Sequence, residues 1–205
     1  MVRKHVKDDK KAGIKMIEYD ELYQEVKKRL SDKRFAHSEC VVKRAIEYAE
    51  AYHVDVNMVK LVAISHDIAK ELTDEEIKEY IEKYKIELDS VEKENPNLVH
   101  AKIGAYICKE NYGFSEDMCN AIKYHTTGRA NMSILEKIIY LADATEESRK
   151  YCSDHYVEII KEDIDMGMIE ICKWVINHLL ENNRVIHPDS ILCYNYYTKL
   201  KNNLK

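Results

Sequence analysis

Turn-forming residues are scarce in this chain, with five glycines and two prolines in 205 residues. That shortage excludes a β-rich domain with many tight turns and makes helices joined by short loops the default. No segment alternates at strand period, and there is no internal repeat or low-complexity tract. No apolar run reaches transmembrane length and no signal peptide opens the chain, so a cytoplasmic location without a membrane partner is expected. The six cysteines, Cys40, Cys108, Cys119, Cys152, Cys172 and Cys193, lie singly with no C-x-x-C pair. They read as reduced packing residues rather than as a disulfide framework or thiolate ligands. A net charge of −5 argues against binding to a nucleic-acid polymer, although a few local cations suffice for a small anion.

What the chain does have is charge, 34% of residues, and an apolar pattern at helical spacing. Residues 1–15, MVRKHVKDDKKAGIK, show no apolar period and read as a charged mobile tail. From there one all-α domain over 16–205 is expected, with a core at about 34–150 and a helical extension at 151–205. The pattern places helices near 20–31, 34–53, 56–71, 73–85, 97–112, 116–126, 133–143, 155–182 and 189–202. Asp55 can cap the third of these, Thr73 with Glu76 and Ser133 with Glu136 match the reciprocal capping box, and Gly113 is a stop signal.

Within LVAISHDIAKEL, residues 61–72, a helix puts Leu61, Ile64, Ile68 and Leu72 on one side and Ala63, His66, Asp67 and Lys70 on the other. The second stripe either faces water, with Lys70 paired to Asp67, or lines a site. A site needs more ligands, and candidates interrupt apolar surroundings elsewhere: His37 in RFAHSECVV, His100 in NLVHAKIGAYI, His125 in AIKYHTTG and Asp143 in IIYLADATEESR. Taken singly, each has an ordinary explanation: a polar first turn for His37, a core hydrogen bond for His100, a helix C-terminus for His125, a cap with Glu146 for Asp143. Taken together, the ordinary explanations fare worse, because an ionised Asp at the end of a helix as apolar as ILEKIIYLADA needs a cation or donors. Gly104, one turn after His100, would admit backbone or ligand close to that histidine. Four imidazoles and two carboxylates without a thiolate suit iron, manganese or a similar divalent ion.

The order His, His-Asp, His, His, Asp resembles the signature of the HD superfamily of metal-dependent phosphohydrolases. RFAH, HDIAK, LVHAKIGA, HTTGRANMSILEKIIYLAD, EESR and VIHPDSI extend the likeness, over about residues 34–195, to the bacterial YqeK-like symmetrical bis(5′-nucleosyl)-tetraphosphatases. ATEESR departs locally from the family's pattern but leaves Asp143 and Arg149 in register.

The resemblance implies an HD-domain helical bundle holding one or two divalent ions, with iron first and manganese or magnesium as alternatives. His37, His66, Asp67 and Asp143 would hold one ion. His100 and His125 would hold a second, with Asp67 bridging, or would contact substrate phosphates. The implied reaction splits diadenosine tetraphosphate into two ADP by attack of metal-activated water at an inner phosphorus. Asp67 and Lys70 are then the catalytic candidates, and Lys70, Thr126 and Arg149 join His100 and His125 as phosphate contacts. Ile186 and His187 are candidate base or ribose contacts, although Pro188 and Asp189 also read as ordinary helix-start chemistry. Arg129 reads as solvated, and the tyrosines as packing residues. The stripe MGMIEICKWVINHLL reads as core or a homodimer face, with His178 structural. Two other readings stand beside this one: a phosphohydrolase of deoxynucleotides or alarmones, and a nucleotide-sensing module without chemistry.

Overall fold

The computed structural model describes residues 15–149 and 154–203. Apart from Lys15, the expected tail lies outside these residues, as does Cys152. The described residues form helices and no strands: α1 (Tyr19–Arg29), α2 (Asp32–Ala51), α3 (Val56–Ser65), α4 (Asp74–Tyr84), α5 (Ser90–Glu94), α6 (Val99–Tyr112), α7 (Glu116–Lys123), α8 (Ile134–Thr145), α9 (Asp154–Glu162), α10 (Ile164–Glu181) and α11 (Pro188–Asn202), with a 3-10 turn at Pro96–Leu98 leading into α6.

The local signals hold where side chain meets backbone. Asp55 accepts from the amides of Asn57 and Met58, the capping boxes form at Thr73 and Ser133, and Gly113 closes α6 with φ +71°. Three expectations need correction. The helix expected over 56–71 stops at Ser65, and the next residues continue in tight turns, the Ile68 amide donating to Ser65 O and the Lys70 amide to Asp67 O. The helix expected over 155–182 is two, because Asp163 leaves the helical conformation and its carboxylate caps α10 through the amides of Asp165 and Met166. α5 was not expected; it is a five-residue turn of helix held by a reciprocal box between Asp89 and Glu92.

The core lies where α2, α3, α6, α7 and α8 pack on one another. α2 and α8 are braced by a buried hydrogen bond between Tyr48 Oη and Thr145 Oγ1 (2.6 Å), and Arg44 Nε donates to the Thr145 carbonyl (3.0 Å). Gly104 lets α6 close on its neighbours: a Cβ there would sit 3.3 Å from Ile122, 3.4 Å from Ile68 and 3.8 Å from the His66 carbonyl. The glycine therefore serves packing against the His66 turn rather than access to His100. α9 to α11 form the extension, α10 packing on α8, α9 and α11. Ile164, Met168, Ile169, Ile171 and Cys172 of the α10 stripe are buried core, whereas Leu180 near its end is 59% exposed. His178 stacks on Trp174 at the surface. No helix among the described residues is long and apolar enough to cross a membrane.

Candidate metal centre

Five elements bring the six expected ligands together. His37 comes from α2, His66 and Asp67 from the turn after α3, His100 from the first turn of α6, His125 from the turn after α7, and Asp143 from α8. His66, Asp67, His100 and His125 are all buried, none more than 3% exposed. The stripe of Ala63, His66 and Asp67 thus faces the interior and not water. Lys70 does not pair with Asp67 through its side chain; its ammonium lies against the His100 ring, 3.4 Å from Nδ1 and 3.5 Å from Nε2.

The imidazoles are oriented from behind. Three Nδ1 atoms sit within hydrogen-bond distance of a carbonyl three residues earlier: His66 with Ala63 O (2.7 Å), His100 with Asn97 O (2.6 Å) and His125 with Ile122 O (2.7 Å). A carbonyl only accepts, so each Nδ1 carries the proton and each Nε2 presents a lone pair. His37 obeys the same rule with a carboxylate behind it, its Nδ1 donating to Glu146 Oε1 (3.2 Å).

Those lone pairs converge on one another and on anions. His100 Nε2 lies 3.2 Å from His125 Nε2 and 3.0 Å from Asp67 Oδ1, with His125 Nε2 at 3.5 Å from the same oxygen. The second oxygen, Asp67 Oδ2, faces His66 Nε2 at 3.6 Å and His37 Nε2 at 3.9 Å, while Asp143 Oδ1 lies 3.1 Å from His37 Nε2. His66 Nε2 and His37 Nε2 are buried without a hydrogen bond. Two three-residue sets have ligand atoms close enough for one ion: His37, His66 and Asp143, and His66, Asp67 and His125. Inward lone pairs with no proton between them are the arrangement a divalent cation relieves, and an orphaned Nε2 at zero exposure is costly otherwise. The residues fit a metal.

The electrostatics follow. Burial pushes the His66 and His100 pKa values down to about 4. Burial also opposes a charged His37, but the Asp143 carboxylate beside it outweighs that and raises its pKa. Asp143 is held far below the carboxylate range, since His37, His66 and Arg149 overcome the burial that would raise it. Asp67 is lowered too, burial being outweighed by His66, His100 and His125. Burial lowers Lys70.

Three cations border the ligands. Lys70 was expected, and Arg149 pairs with Asp143 (Nη2 to Oδ1, 2.6 Å) while its Nε donates to the Asp143 carbonyl (3.1 Å). Arg34, within the RFAH motif but given no role from sequence, donates to Asp67 Oδ2 (3.0 Å). Glu146 was missed as well: fully buried, it accepts from His37 and from the amide and hydroxyl of Ser148 (2.6 Å each). Asp143 is no cap, since it lies inside α8. Arg129 is not solvated but forks onto buried Glu136, with two contacts of 2.7 Å.

Of the nucleotide candidates, Thr126 and His187 share a cavity of about 100 Å³ with Leu98, Lys102, Lys123 and Thr127. His187 caps α11, its Nδ1 accepting from the Asp189 amide, and donates Nε2–H to Asp89 Oδ2 (2.7 Å). This cluster of Asp89, Glu92 and His187 has a metal-like spacing, but Lys102 neutralises Glu92 (2.6 Å) and Asp89 is taken up by capping. Ile186 is half-buried at the segment's edge.

Residues 34–148 match the HD domain family model. The chain is 36% identical over 173 residues to the symmetrical bis(5′-nucleosyl)-tetraphosphatase of Bacillus subtilis, covering 83% of this chain and 92% of that protein. It is 37% identical over 174 residues to the protein of the same description from Halalkalibacterium halodurans (84% and 92%) and 31% over 178 residues to that of Staphylococcus aureus (83% and 90%). Among solved structures, a Clostridium acetobutylicum protein described as a "predicted HD superfamily hydrolase involved in NAD metabolism" superposes with a TM-score of 0.84 at 32% identity, over 90% of this chain and 98% of that one. HD domains bind divalent metals, and the convergence of imidazoles and carboxylates described above lies within the matched span. The chain belongs to the HD family, among the symmetrical bis(5′-nucleosyl)-tetraphosphatases.

Proposed function

We propose that this protein hydrolyses diadenosine tetraphosphate symmetrically to two ADP, using one or two divalent ions, iron first, held by His37, His66, Asp67, Asp143, His100 and His125. The observation that carries the reading is the set of four Nε2 lone pairs turned towards two carboxylates, in a chain whose relatives bear that activity's name. A divalent ion held there would supply an activated water near neutral pH and offset charge on the attacked phosphate.

The chain's own residues do the rest. Asp67 divides its two oxygens between the His37/His66 side and the His100/His125 side, so it would help to hold a divalent ion on either side. The leaving ADP already carries negative charge, so cations matter more than a strong acid. Lys70, Arg34 and Arg149 supply them at the border of the ligands, where a half-buried cation is worth more than an exposed one. Thr126 and His187, on the shared cavity wall, position the ribose and base, with Ile186 alongside.

Product identification decides between the readings. Metal-loaded protein given diadenosine tetraphosphate should yield ADP alone, two per substrate, and chelation should abolish it. Equal AMP and ATP would refute symmetrical cleavage. Release of pyrophosphate or monophosphate from another nucleotide would favour a different phosphohydrolase, and tight nucleotide binding without turnover a sensing module.

A further inference from the structure

Two thiols that the hydrolase reading leaves unused lie in contact beneath the turn following His125. Cys172 on α10 and Cys193 on α11 place their sulfurs 3.5 Å apart, both essentially inaccessible, at 1% and 0% exposure. Buried thiols are ordinarily packing groups; here two of them, from different helices, face each other at a separation that a disulfide of about 2.05 Å would close with roughly 1.5 Å of movement.

The neighbours make that movement consequential. Gly128, at φ +65°, turns the chain directly over Cys193: a Cβ on it would sit 2.7 Å from Cys193 Sγ and 3.6 Å from the ring of Tyr140. Tyr140 Oη in turn lies 3.6 Å from Cys172 Sγ, one helical turn before Asp143 on α8. α11 grips the same turn through Ser190 Oγ, which donates to Thr127 O (3.0 Å). The sulfurs thus touch both the turn carrying Thr126 and the helix carrying Asp143.

We propose that Cys172 and Cys193 are a redox-modification site: hydrogen peroxide closes them into a reversible disulfide, and the crosslink resets the turn at Thr126 to Gly128. The Cys172 thiolate attacks the peroxide, the O–O bond breaks, and a sulfenic acid forms with release of water once the departing hydroxide is protonated. Cys193 sulfur then attacks Cys172 Sγ; the S–O bond breaks and a second water leaves with the Cys193 proton. Two thiols and one peroxide become one disulfide and two waters. The two roles are interchangeable, because the sulfurs face each other across 3.5 Å and either order of attack gives the same disulfide. Burial makes the reaction wait on local opening of α11.

The test uses the full-length, metal-loaded protein and diamide, a thiol oxidant that supplies the same two-electron step while being reduced to a hydrazine. Mass spectrometry after alkylation should show two fewer free thiols and a crosslinked peptide joining Cys172 to Cys193. Amide exchange over residues 124–132 should change with the crosslink and return after dithiothreitol, and kcat/KM for diadenosine tetraphosphate should fall by up to about a hundredfold, the scale expected when positioning groups move by about 1 Å. Cys172→Ser and Cys193→Ser should each abolish the crosslink and keep their activity through oxidation; either variant suffices if the other folds poorly. Cys172 and Cys193 remaining alkylatable while half-exposed Cys40 oxidises would overturn the site. A crosslink leaving exchange at 124–132 unchanged would overturn the coupling. The crosslink and the amide exchange need no turnover, so failure of the hydrolase reading would show separately, as a crosslinking protein with no substrate.

Discussion

Glu146 Oε1 lies 3.2 Å from Nδ1 of His37, so a carboxylate 109 residues further along the chain determines which ring nitrogen of that histidine faces the centre. Groups that fix a ligand's tautomer are worth about 10- to 100-fold in metal affinity. Glu146→Ala should weaken metal binding by that factor, and Glu146→Gln by less, because an amide oxygen still accepts. Competition against a chromophoric chelator measures both; equal affinity in Glu146→Ala and wild type would refute the role.

Arg129 matters for stability. Its guanidinium forks onto Glu136, which is fully buried and also accepts from the Ser133 amide (2.6 Å). Arg129→Ala strands a buried carboxylate and should cost about 3 kcal/mol. Arg129→Lys, unable to fork, should fall in between. Urea unfolding followed by circular dichroism reads the loss, and a change under about 0.5 kcal/mol, the range of ordinary surface substitutions, would contradict it.

The metal-free protein should lose stability on mild acidification. His66 and His100 have folded pKa values of about 4 against an ordinary 6.5, so between those values the unfolded chain binds more protons and stability falls as pH falls. Their contribution is complete above pH 6.5 and exhausted below pH 4. His37, shifted upward, acts in the opposite sense, its contribution present at low pH and lost as pH rises through its folded value; one histidine offsets part of two. Asp67 and Asp143, shifted downward, extend the loss below pH 4. Denaturation midpoints of chelated protein at pH 7, 5.5 and 4.5 should therefore descend, and a flat or rising series would show that the imidazoles are not buried neutral.

Lys70 separates chemistry from metal holding. Lys70→Ala should lower kcat about a hundredfold, the scale of one preorganised charge, with metal content unchanged. Loss of metal together with rate would instead make Lys70 part of the ligand cage's support.

The sequence disclosed most where physics is local. The boxes at Thr73 and Ser133, the Asp55 cap and the Gly113 stop each involve groups within five residues, and each formed. The six candidate ligands stood out as polar residues in apolar helices, and the fold brings all six together. What escaped was pairwise and distant, or masked by neighbours. Asp163 breaks a helix whose apolar period runs on through Ile160 and Ile164, so the periodicity concealed the break. α5 is too short to show a period at all. Glu146 behind His37, Arg34 on Asp67 and His187 on Asp89 join residues 109, 33 and 98 apart, and no local pattern encodes such partners. Arg129 and Glu136 are seven apart, but across a turn and a helix start.

Metal bound per chain tests the central claim most directly. After loading with ferrous or manganous ion and desalting, elemental analysis of wild-type protein should find between one and two equivalents. Asp67→Asn, which keeps the side chain's shape but removes the charge shared by both halves of the centre, should hold much less. Protein that retains no ion, or an Asp67→Asn variant that retains as much as wild type, would contradict the account.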